Sequence, residues 1–411
     1  MRKRVDKEHA TLIGHNRMGK PIYCSDMIRH CFVCGTTGVG KTIALINFIF
    51  HAILEGIGLL LIDGKGDTGE GSMSFYVSEL CRKYNRKLHI VNMNSPATSA
   101  KYNPLKGASE TVAKDMLINM TDWSEEHYKA NAERYIQRLI KLMNLAEIPL
   151  SFHSIIQNMT VDKFECLSAV LQKGGTITKE QHLKNLEITK ACGKIAEQAA
   201  ARFAVIAESE IGEIFADDGV DMYEVLKNGE VLLFVLNPLL YPETTKAFGR
   251  LVLIDAKKTV SKLFESDSHK RSFIVADEIN TYATEILLNI VNKSRSANVT
   301  CILATQSLAD LVAAAGEAFK HQVIENCNNY IVMRQNSYAD AEEWAKTIGT
   351  QERMQMTFQM TQSEATGLGS ARMVRGFKIH PDTIKDFGVG EAVYLSRDNG
   401  IFERIKIVKP F

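Results

Sequence analysis

Short apolar runs alternate with segments of helical periodicity along the N-terminal part of the chain. Residues 30–34 form an apolar run that predicts a strand, and helical spacing follows over residues 42–54. A buried strand is predicted over residues 58–62, a second helix over residues 73–84 and another strand over residues 88–91. Apolar strands separated by amphipathic helices are typical of a parallel sheet with helices on both faces. We therefore expect an α/β fold.

The pattern changes between residues 105 and 219. Amphipathic helices follow one another there without a convincing strand, and residues 195–215 are Ala-rich and helical. Apolar side chains recur at helical spacing at Tyr128, Ala132, Tyr135, Leu139 and Met143. We expect an all-α insertion domain over residues 105–219, within a discontinuous α/β domain formed by residues 1–104 and 220–411.

Sheet-type sequence resumes after the insertion. Strands are predicted over residues 230–236, 273–278, 299–304 and 402–408. The second of these runs is apolar throughout and ends in Asp277 and Glu278. Open α/β sheets bind their ligands at the carboxyl ends of the strands, so these two acids are candidates for a site.

Composition limits the classes of protein to consider. The chain has 411 residues, of which 45% are hydrophobic and 24% charged, enough for a large core and two or three domains. Its formal net charge of +1 gives no global basic surface, so any contact with nucleic acid must come from local patches. Eight scattered cysteines are typical of a reducing compartment, and the cytosol is the simplest interpretation. Cys31 and Cys34 lie three apart on a strand, so they should point to opposite faces and pack as apolar side chains.

No apolar run reaches the 18 residues that a membrane helix needs. The start, Met1-Arg2-Lys3-Arg4, is basic but leads into no hydrophobic segment, so it does not read as a signal peptide. It is interpreted either as a solvated tail or as the cytoplasmic flank of a membrane anchor that is absent from this sequence.

A glycine-rich loop joins the first predicted strand to the first helix. It reads Gly35, Thr36, Thr37, Gly38, Val39, Gly40, Lys41 and Thr42. Glycine spacing of this kind between a strand and a helix turns backbone N–H groups toward one point at the positive end of the helix dipole. Lys41 would reach the β- and γ-phosphates and the Thr42 hydroxyl would hold Mg²⁺. We therefore expect ATP and Mg²⁺ as cofactors; the alternative is a turn that merely connects two elements.

The other candidate residues follow from this loop. Asp277 would hold the Mg²⁺ shell, and Glu278 would orient and polarise the attacking water. Gln306, at the tip of the next strand, could contact the γ-phosphate or simply face water. Lys293 and Arg295 end a predicted helix, where a cation complements the helix dipole. Arg295 could alternatively be an arginine finger for a neighbouring subunit, which would require a ring.

Six segments resemble one family when they are taken in order. They read LIGHNRMGKPIYCSDMIRHCFVCGTTGVGKT, LLLIDGKGD, YNPL, VLLFVLNPLLYPETTKAFGRLV, FIVADEIN and ILATQSLADL. They look like the cytoplasmic part of type IV secretion coupling proteins, the TraD-type ATPases of the HerA/FtsK superfamily. The resemblance runs from about residue 10 to residue 392. It implies a RecA-like P-loop NTPase core with a mostly parallel sheet plus an inserted all-α domain, usually assembled as a hexamer at the cytoplasmic face of the bacterial inner membrane.

The resemblance also implies residue roles. Lys41 and Thr42 match the phosphate-loop pair of the family, Asp277 and Glu278 match its Walker B acids, Gln306 matches its γ-phosphate sensor and Arg295 matches its trans arginine finger. The family usually has an Asp-Pro-Lys-Gly turn where this chain has Asp63, Gly64 and Lys65. Because Gly64 replaces the proline, we expect a looser turn; positioning of the loop and contact with nucleotide are both open for Asp63 and Lys65.

The function implied is an ATP-hydrolysing coupling motor that recruits DNA or protein substrates and translocates them to a secretion channel. The alternatives are a nucleotide-gated docking platform with little turnover and an FtsK-like DNA translocase, although the long insertion disfavours the latter. The partners implied are secretion-channel components, substrate or adaptor proteins, and DNA. Members of the family usually begin with a transmembrane hairpin, which is absent from this sequence. We expect a homo-hexamer when the protein is anchored to the membrane, and monomers when it is a soluble, cytoplasmic fragment.

Two local basic patches are candidates for DNA contact. Arg134, Arg138 and Lys141 form a stripe at helical spacing in the insertion. A glycine-rich loop expected from Thr366 carries Arg372 and Arg375. Phosphate backbones would suit both patches, but a solvated helix face and an ordinary surface loop are the simpler interpretations, and neither patch is assigned to the site.

Overall fold

The structure is a computed structural model that describes residues 10–25, 30–120, 123, 125–266, 270–361 and 364–410. The basic start at residues 1–4 lies outside the described residues. The strands are β1 (Ala10–Asn16), β2 (Pro21–Ser25), β3 (Cys31–Cys34), β4 (Gly58–Asp63), β5 (Leu88–Asn92), β6 (Val231–Val235), β7 (Ser272–Asp277), β8 (Val299–Thr305), β9 (Asn329–Met333), β10 (Thr350–Thr361), β11 (Glu364–Phe377), β12 (Glu391–Ser396) and β13 (Ile401–Ile407).

The helices connect these strands and also build the insertion. They are α1 (Lys41–Leu54), α2 (Met73–Lys83), α3 (Glu110–Asn119), α4 (Glu126–Leu145), α5 (Phe152–Asn158), α6 (Val161–Lys173), α7 (Lys179–Ala207), α8 (Met222–Lys227), α9 (Pro242–Glu265), α10 (Glu285–Ser294), α11 (Leu308–Asn326), α12 (Tyr338–Ile348) and α13 (Pro381–Lys385). The helices and strands predicted before residue 100 are confirmed to within two residues at each end.

Eleven strands form one sheet in the order β2-β1-β13-β12-β9-β3-β8-β7-β4-β6-β5. The strands from β9 to β5 are parallel, which confirms the prediction of a mostly parallel α/β sheet. The strands β12, β13, β1 and β2 extend it in antiparallel fashion. We call the edge where the parallel strands end the carboxyl edge, and the opposite one the amino edge.

Helices cover both faces of the sheet, as parallel strands require. On one face α1 and α2 bury their apolar sides against the strands, and Cys31 belongs to that core. On the other face α9, α10, α11 and α12 pack together with the insertion, and Cys34 belongs to that core. The prediction that the two cysteines point to opposite faces is therefore confirmed.

The insertion is helical from α3 to α7 in its described residues, as expected. Ala132, Tyr135, Leu139 and Met143 are fully buried, whereas Tyr128 is 37% exposed near the start of α4. The Ala-rich segment belongs to a helix that begins much earlier, at Lys179, where Thr178 and Gln181 form a capping box. The helix ends at Ala207, before the predicted end at residue 215. The domain boundaries at residues 105 and 219 stay a prediction.

One predicted loop is a strand in the structure. The glycine-rich segment that begins at Thr366 lies in β11, which pairs with β10 along an antiparallel hairpin. Arg375 lies opposite Glu352, and Arg372 lies opposite Gln355 in this register. The expectation of a loop was wrong because glycine has a low intrinsic strand preference, while the pairing that overrides it comes from a segment that reads as polar and irregular.

A buried ion pair ties the entrance of the insertion to α9. Asp255 and Lys258 lie 2.7 Å apart and are almost completely buried. Asp255 also accepts a hydrogen bond from the Tyr102 hydroxyl at 2.6 Å. Lys258 donates to the backbone carbonyl of Pro104 at 2.7 Å. Two buried charges therefore satisfy one another and fix the chain where the helical insertion begins.

We expect Lys258→Met to lower the free energy of unfolding by about 3 to 5 kcal/mol, because it leaves the Asp255 carboxylate buried without its counter-charge. Urea unfolding followed by circular dichroism measures the difference. The matched control is Lys262→Met on the same helix, since Lys262 makes an exposed contact to the Gly107 carbonyl. A loss in Lys258→Met no larger than that in the control would contradict a stabilising role for this pair.

A buried histidine joins β3 to β8 at the amino edge. His30 accepts a hydrogen bond at Nδ1 from the amide of Cys301 at 3.0 Å. Burial, together with the positive charge of Arg295, outweighs a hydrogen bond to the backbone of Val291 and lowers the pKa of His30 from 6.5 to about 4. The folded protein therefore favours the neutral ring.

Acid should weaken the fold through this residue. Its contribution to stability is complete above the unfolded pKa of 6.5 and falls as the pH is lowered from there toward 4. Between pH 7 and pH 5 we expect a loss of about 2 kcal/mol through His30. Urea unfolding at both pH values should show a smaller difference in His30→Asn, which keeps an acceptor but does not titrate. Equal pH dependence in His30→Asn, in the exposed control His321→Asn and in the unmodified chain would rule this out.

Candidate functional site

The phosphate loop connects β3 to α1 at the carboxyl edge, where the sequence predicts it. Gly38 and Gly40 have φ angles of 77° and 104°, in the left-handed region that favours glycine. The helix begins at Lys41, and no side chain of the described residues caps its first turn. The first amides of α1 are therefore open to an anion, with the helix dipole behind them.

Residues that follow β9 and precede β12 hold the loop in shape. The amide of Thr36 donates to the carbonyl of Arg334 at 2.9 Å, and the side-chain amide of Asn336 donates to the Thr36 hydroxyl at 3.2 Å. The amide of Gly390 donates to the carbonyl of Val39 at 2.8 Å. The sequence analysis missed these contacts. The available signal was an apolar strand at residues 329–333 that ends in polar residues, as β7 and β8 do.

The structure brings four polar side chains of the loop and its neighbouring strands into one network. The ammonium of Lys41 donates to the Gly35 carbonyl at 2.7 Å and lies 3.6 Å from the Glu278 carboxylate. The side-chain amide of Gln306 donates to the same carboxylate oxygen at 3.0 Å. Gln306 accepts from the Thr37 hydroxyl at 2.8 Å. The predicted candidates Lys41, Glu278 and Gln306 thus meet, although they lie on three different strand ends.

Glu278 has an unusual backbone conformation. Its φ of 47° and ψ of 53° place it in the left-handed region directly after β7. A residue with a side chain pays about 1 to 2 kcal/mol there. Strain of this size at a strand end is typical of functional sites, because the surrounding structure must enforce it. The side chain is 5% exposed and lies against Lys41 and Gln306.

Two aspartates lie side by side at the ends of adjacent strands. Asp63 on β4 and Asp277 on β7 are direct register partners, and both are buried. Burial, with the nearby carboxylates of Glu278 and Asp63, raises the pKa of Asp277 to about 7. Burial also raises the pKa of Asp63 to about 6, against two hydrogen bonds from backbone amides. The cluster carries more buried negative charge than its neighbours neutralise.

The turn after β4 is pinned by hydrogen bonds. Asp63 accepts from the amides of Lys65 at 3.0 Å and Gly66 at 3.2 Å, and the amide of Gly64 donates to the Asp277 carbonyl at 3.2 Å. A proline at position 64 could not make the last bond, because it has no N–H. Three hydrogen bonds therefore hold the turn without a proline ring, and whether it is looser than the turn with proline stays a prediction. The Lys65 ammonium pairs with Asp67 in solvent, so it does not reach the phosphate loop in this structure.

The oxygen atoms present suit a divalent cation. One carboxylate oxygen of Asp63 and one of Glu278 are buried without a hydrogen-bond partner. Carboxylate and hydroxyl oxygens are the ligands that Mg²⁺ prefers, usually one or two from the protein completed by phosphates. In the described part of the chain no cluster of three or more side chains could hold a metal by itself. The unpartnered oxygens of Asp63 and Glu278, which lie beside Asp277, therefore suit a cation that nucleotide completes, and Thr42 is the second residue of α1.

Arg295 lies away from these residues. The helix α10 starts after the end of β7 and returns along the sheet, so Arg295 precedes β8 at the amino edge, close to His30. Its side chain is exposed. The structure therefore does not bring Arg295 to Lys41, Glu278 and Gln306 of its own chain.

The two basic patches are surface features. Arg134 and Lys141 are exposed on α4, whereas Arg138 donates to the side chain of Asn185. Arg372 is exposed on β11 and donates to Gln355 at 3.2 Å.

Among the described helices none combines the length and the apolar character that crossing a bilayer demands.

Comparison with known proteins gives three kinds of similarity. The family model described as the TraM recognition site of TraD and TraG matches residues 271–380. An uncharacterised protein of Mycoplasma pneumoniae is 33% identical over 104 residues, which are 25% of this chain and 69% of that protein. The type 4 coupling protein DotL of Legionella pneumophila is 25% identical over 153 residues, which cover 32% of this chain and only 19% of DotL.

The fold is that of a conjugative coupling protein. The structure of TrwB lacking its first 70 residues superposes with a TM-score of 0.70 at 14% identity, covering 99% of this chain and 90% of that one. TrwB has also been solved in complex with ADP and Mg²⁺, and that structure has a TM-score of 0.67. The segment that the family model matches includes Asp277, Glu278, Arg295 and Gln306. Together with the motifs in order along the sequence, the family-model match, the similarity to DotL and the TrwB fold support a type IV coupling protein of the TraD and TrwB type.

Proposed function

We propose that the protein is an ATP-hydrolysing motor that moves DNA or protein substrates to a type IV secretion channel. The observation that carries this proposal is the network of Lys41, Glu278 and Gln306 beneath an open helix N-terminus. A site that only bound nucleotide would need the loop and Lys41. A carboxylate in reach of the phosphates and an amide that senses them are additions that turnover requires.

The same network suggests how hydrolysis proceeds. The amides of the loop and the Lys41 ammonium would bind the β- and γ-phosphates of ATP, and Lys41 would exchange the Gly35 carbonyl for phosphate oxygens. Glu278 would then be released from Lys41 and could orient the attacking water and accept its proton. Gln306 is hydrogen-bonded to both Thr37 of the loop and Glu278. If the γ-phosphate lay between these residues, its loss would change both hydrogen bonds.

Mg²⁺ would be held by Asp277 and the Thr42 hydroxyl, and it would neutralise charge on the phosphates when bound. The raised pKa of Asp277 supports this assignment, because the buried carboxylate lacks a sufficient counter-charge from the chain itself. TrwB binds ADP together with Mg²⁺, which is consistent with the same ligands here.

Arg295 would act on the nucleotide of a neighbouring subunit. It is exposed at the amino edge and cannot reach the loop of its own chain, so only another copy could use it as a finger. Such a finger requires a closed ring, and a homo-hexamer at the cytoplasmic face of the inner membrane is the proposed assembly. Channel components and substrate or adaptor proteins are its proposed partners. The nucleotide-gated docking platform stays the alternative that the first experiment tests.

We expect Lys41→Ala to abolish ATP binding and Glu278→Gln to keep it while lowering the ATPase rate by about 10² to 10³. The reason is that Lys41 binds phosphate directly, whereas Glu278 acts on the water. Fluorescent ATP binding and phosphate release measure the two quantities, with exposed Glu79→Gln as the matched control. Tight binding with no turnover in the unmodified chain, with or without DNA, would favour the docking platform.

We expect Arg295→Ala to lower the rate per subunit by about 10³ without changing ATP affinity. The matched control is Arg82→Ala, which removes an arginine that is 78% exposed on α2. A mixture of Arg295→Ala and Lys41→Ala chains should regain activity, because one supplies an intact site and the other supplies the finger. Activity equal to the sum of the separate chains, or a rate that does not depend on protein concentration, would refute a trans finger.

A further inference from the structure

A basic groove with an apolar floor lies beside Arg295 at the amino edge. It has a volume of about 380 Å³ and runs between the C-terminal halves of α9 and α10. Val260 and Ile290 form its buried floor, and Phe264 stands at its margin with 62% of its surface exposed. A large aromatic side chain left in water beside an open apolar groove is typical of an interaction site.

The groove is framed by positive charge. Lys257 and Lys293 line it, and exposed Arg295 follows Lys293 by two residues. Among the acidic residues, Glu265 is nearest in sequence to the residues that line the groove, since it follows Phe264. A partner that enters the groove must therefore offer apolar side chains with acidic neighbours.

The carboxyl edge presents a segment of that description. Leu239 and Leu240 form the tip of the turn between β6 and α9, and they are 90% and 67% exposed. Asn237 holds the turn: its side-chain oxygen accepts from the Leu240 amide at 2.9 Å and its side-chain amide donates to Asn94 at 2.6 Å. The two leucines are therefore presented by an ordered turn and contribute little to the core of their own chain.

One exposed acid follows the leucine tip along the chain, and a second lies on a loop that Asn94 links to the same turn. Glu243, in the first turn of α9, is exposed three residues after Leu240. The loop that carries exposed Glu70 begins at Gly66, whose carbonyl accepts from Asn94, the same residue that bonds Asn237. Of the basic residues here, Lys65 is paired with Asp67, and Lys246 lies one turn further along α9. Glu243 thus follows the tip closely along the chain, and Glu70 lies on the linked loop.

We propose that the leucine tip, Leu239 and Leu240, docks into the basic groove of a second copy of this chain. The inference rests on the proposed function, because the trans finger already requires the amino edge of one copy to face the carboxyl edge of the next. The tip lies on the same edge as the phosphate loop, and the groove lies on the same edge as Arg295. Two different surfaces on opposite edges form a head-to-tail contact, which closes into a ring if the rotation allows it.

The contact has a physical reason to exist apart from the finger. Arg295 by itself would contribute one charged side chain, and exposed single ion pairs contribute little to association. When the two leucines enter the basic groove, their side chains and that of Phe264 would leave water. The free energy gained by burying this apolar surface is larger than that of a single exposed ion pair. Lys257 and Lys293 would then meet Glu70 and Glu243 at the margin and fix the orientation.

Cysteine cross-linking between copies tests this contact. Leu240→Cys and Ser261→Cys, in the groove, are combined in a Cys166→Ser background, since Cys166 is exposed and the other seven cysteines are buried. A short bismaleimide is added at tens of micromolar protein with a non-hydrolysable ATP analogue. We expect a ladder of covalent oligomers from the double-cysteine chain. A mixture of the two single-cysteine chains should give covalent dimers and nothing larger, because each chain can form one cross-link. The matched control joins Leu240→Cys to Val205→Cys, which is equally open at 72% exposure but lies on α7.

The outcomes separate this inference from the proposed function. Cross-linking of Leu240→Cys to itself, or equal cross-linking of the Val205→Cys control, overturns the head-to-tail contact. If no ladder forms although the ATPase rate rises steeply with concentration, the ring uses other surfaces, so the inference falls and the motor stands. If the ladder forms but Arg295→Ala leaves the ATPase rate unchanged, the contact is supported and the role of Arg295 as a trans finger is refuted. If DNA instead protects Ser261→Cys from maleimide in the absence of ATP, the groove binds nucleic acid and the inference is overturned.

A functional variant checks the same contact without cross-linking. Leu239→Asp with Leu240→Asp should raise the protein concentration for half-maximal ATPase rate at least tenfold, while ATP affinity per subunit stays unchanged. The matched control is Val205→Asp with Leu183→Asp, which alters two exposed apolar residues of α7. An unchanged concentration dependence in the leucine variant overturns the inference.

Discussion

Two aspartates buried side by side at the ends of β4 and β7 are the constraint on which the rest of the site depends. Carboxylates that leave water must find hydrogen bonds or a counter-charge. Here the turn after β4 gives Asp63 two backbone amides, while burial and the carboxylates of Glu278 and Asp63 raise the pKa of Asp277 to about 7 against the opposing charge of Lys41. A bound cation would balance this buried charge, and the strained backbone of Glu278 and its contact with Lys41 lie next to it.

The architecture separates the two halves of the proposed chemistry. Parallel strands place all of their ends on one edge, so the loop, the acids and Gln306 meet at the carboxyl edge. The helices that connect parallel strands return to the amino edge, which places Arg295 and the basic groove on the opposite side. In the proposed head-to-tail assembly, the carboxyl edge of one copy would meet the amino edge of the next.

The sequence predicted the local part of this site well and its connections poorly. Glycines at 38 and 40, Lys41 and Thr42 follow one another along the chain, so their geometry depends on one turn and one helix start. The support that Arg334, Asn336 and Gly390 give to that loop was missed, because it comes from strand ends far along the chain. The hairpin of β10 and β11 was missed for the same reason: its pairing, and not its glycine-rich composition, decides its conformation.

Periodicity and short-range motifs therefore specified the α/β class, the helical insertion and the phosphate loop, since each depends on neighbours within a turn or a strand. The strand order, the antiparallel extension and the meeting of Asp63 with Asp277 came from packing between distant segments. The same holds for the position of Arg295, whose sequence neighbours are compatible with a dipole cap or a finger. Its distance from the loop of its own chain follows from the path of α10 across the sheet, which no local pattern encodes.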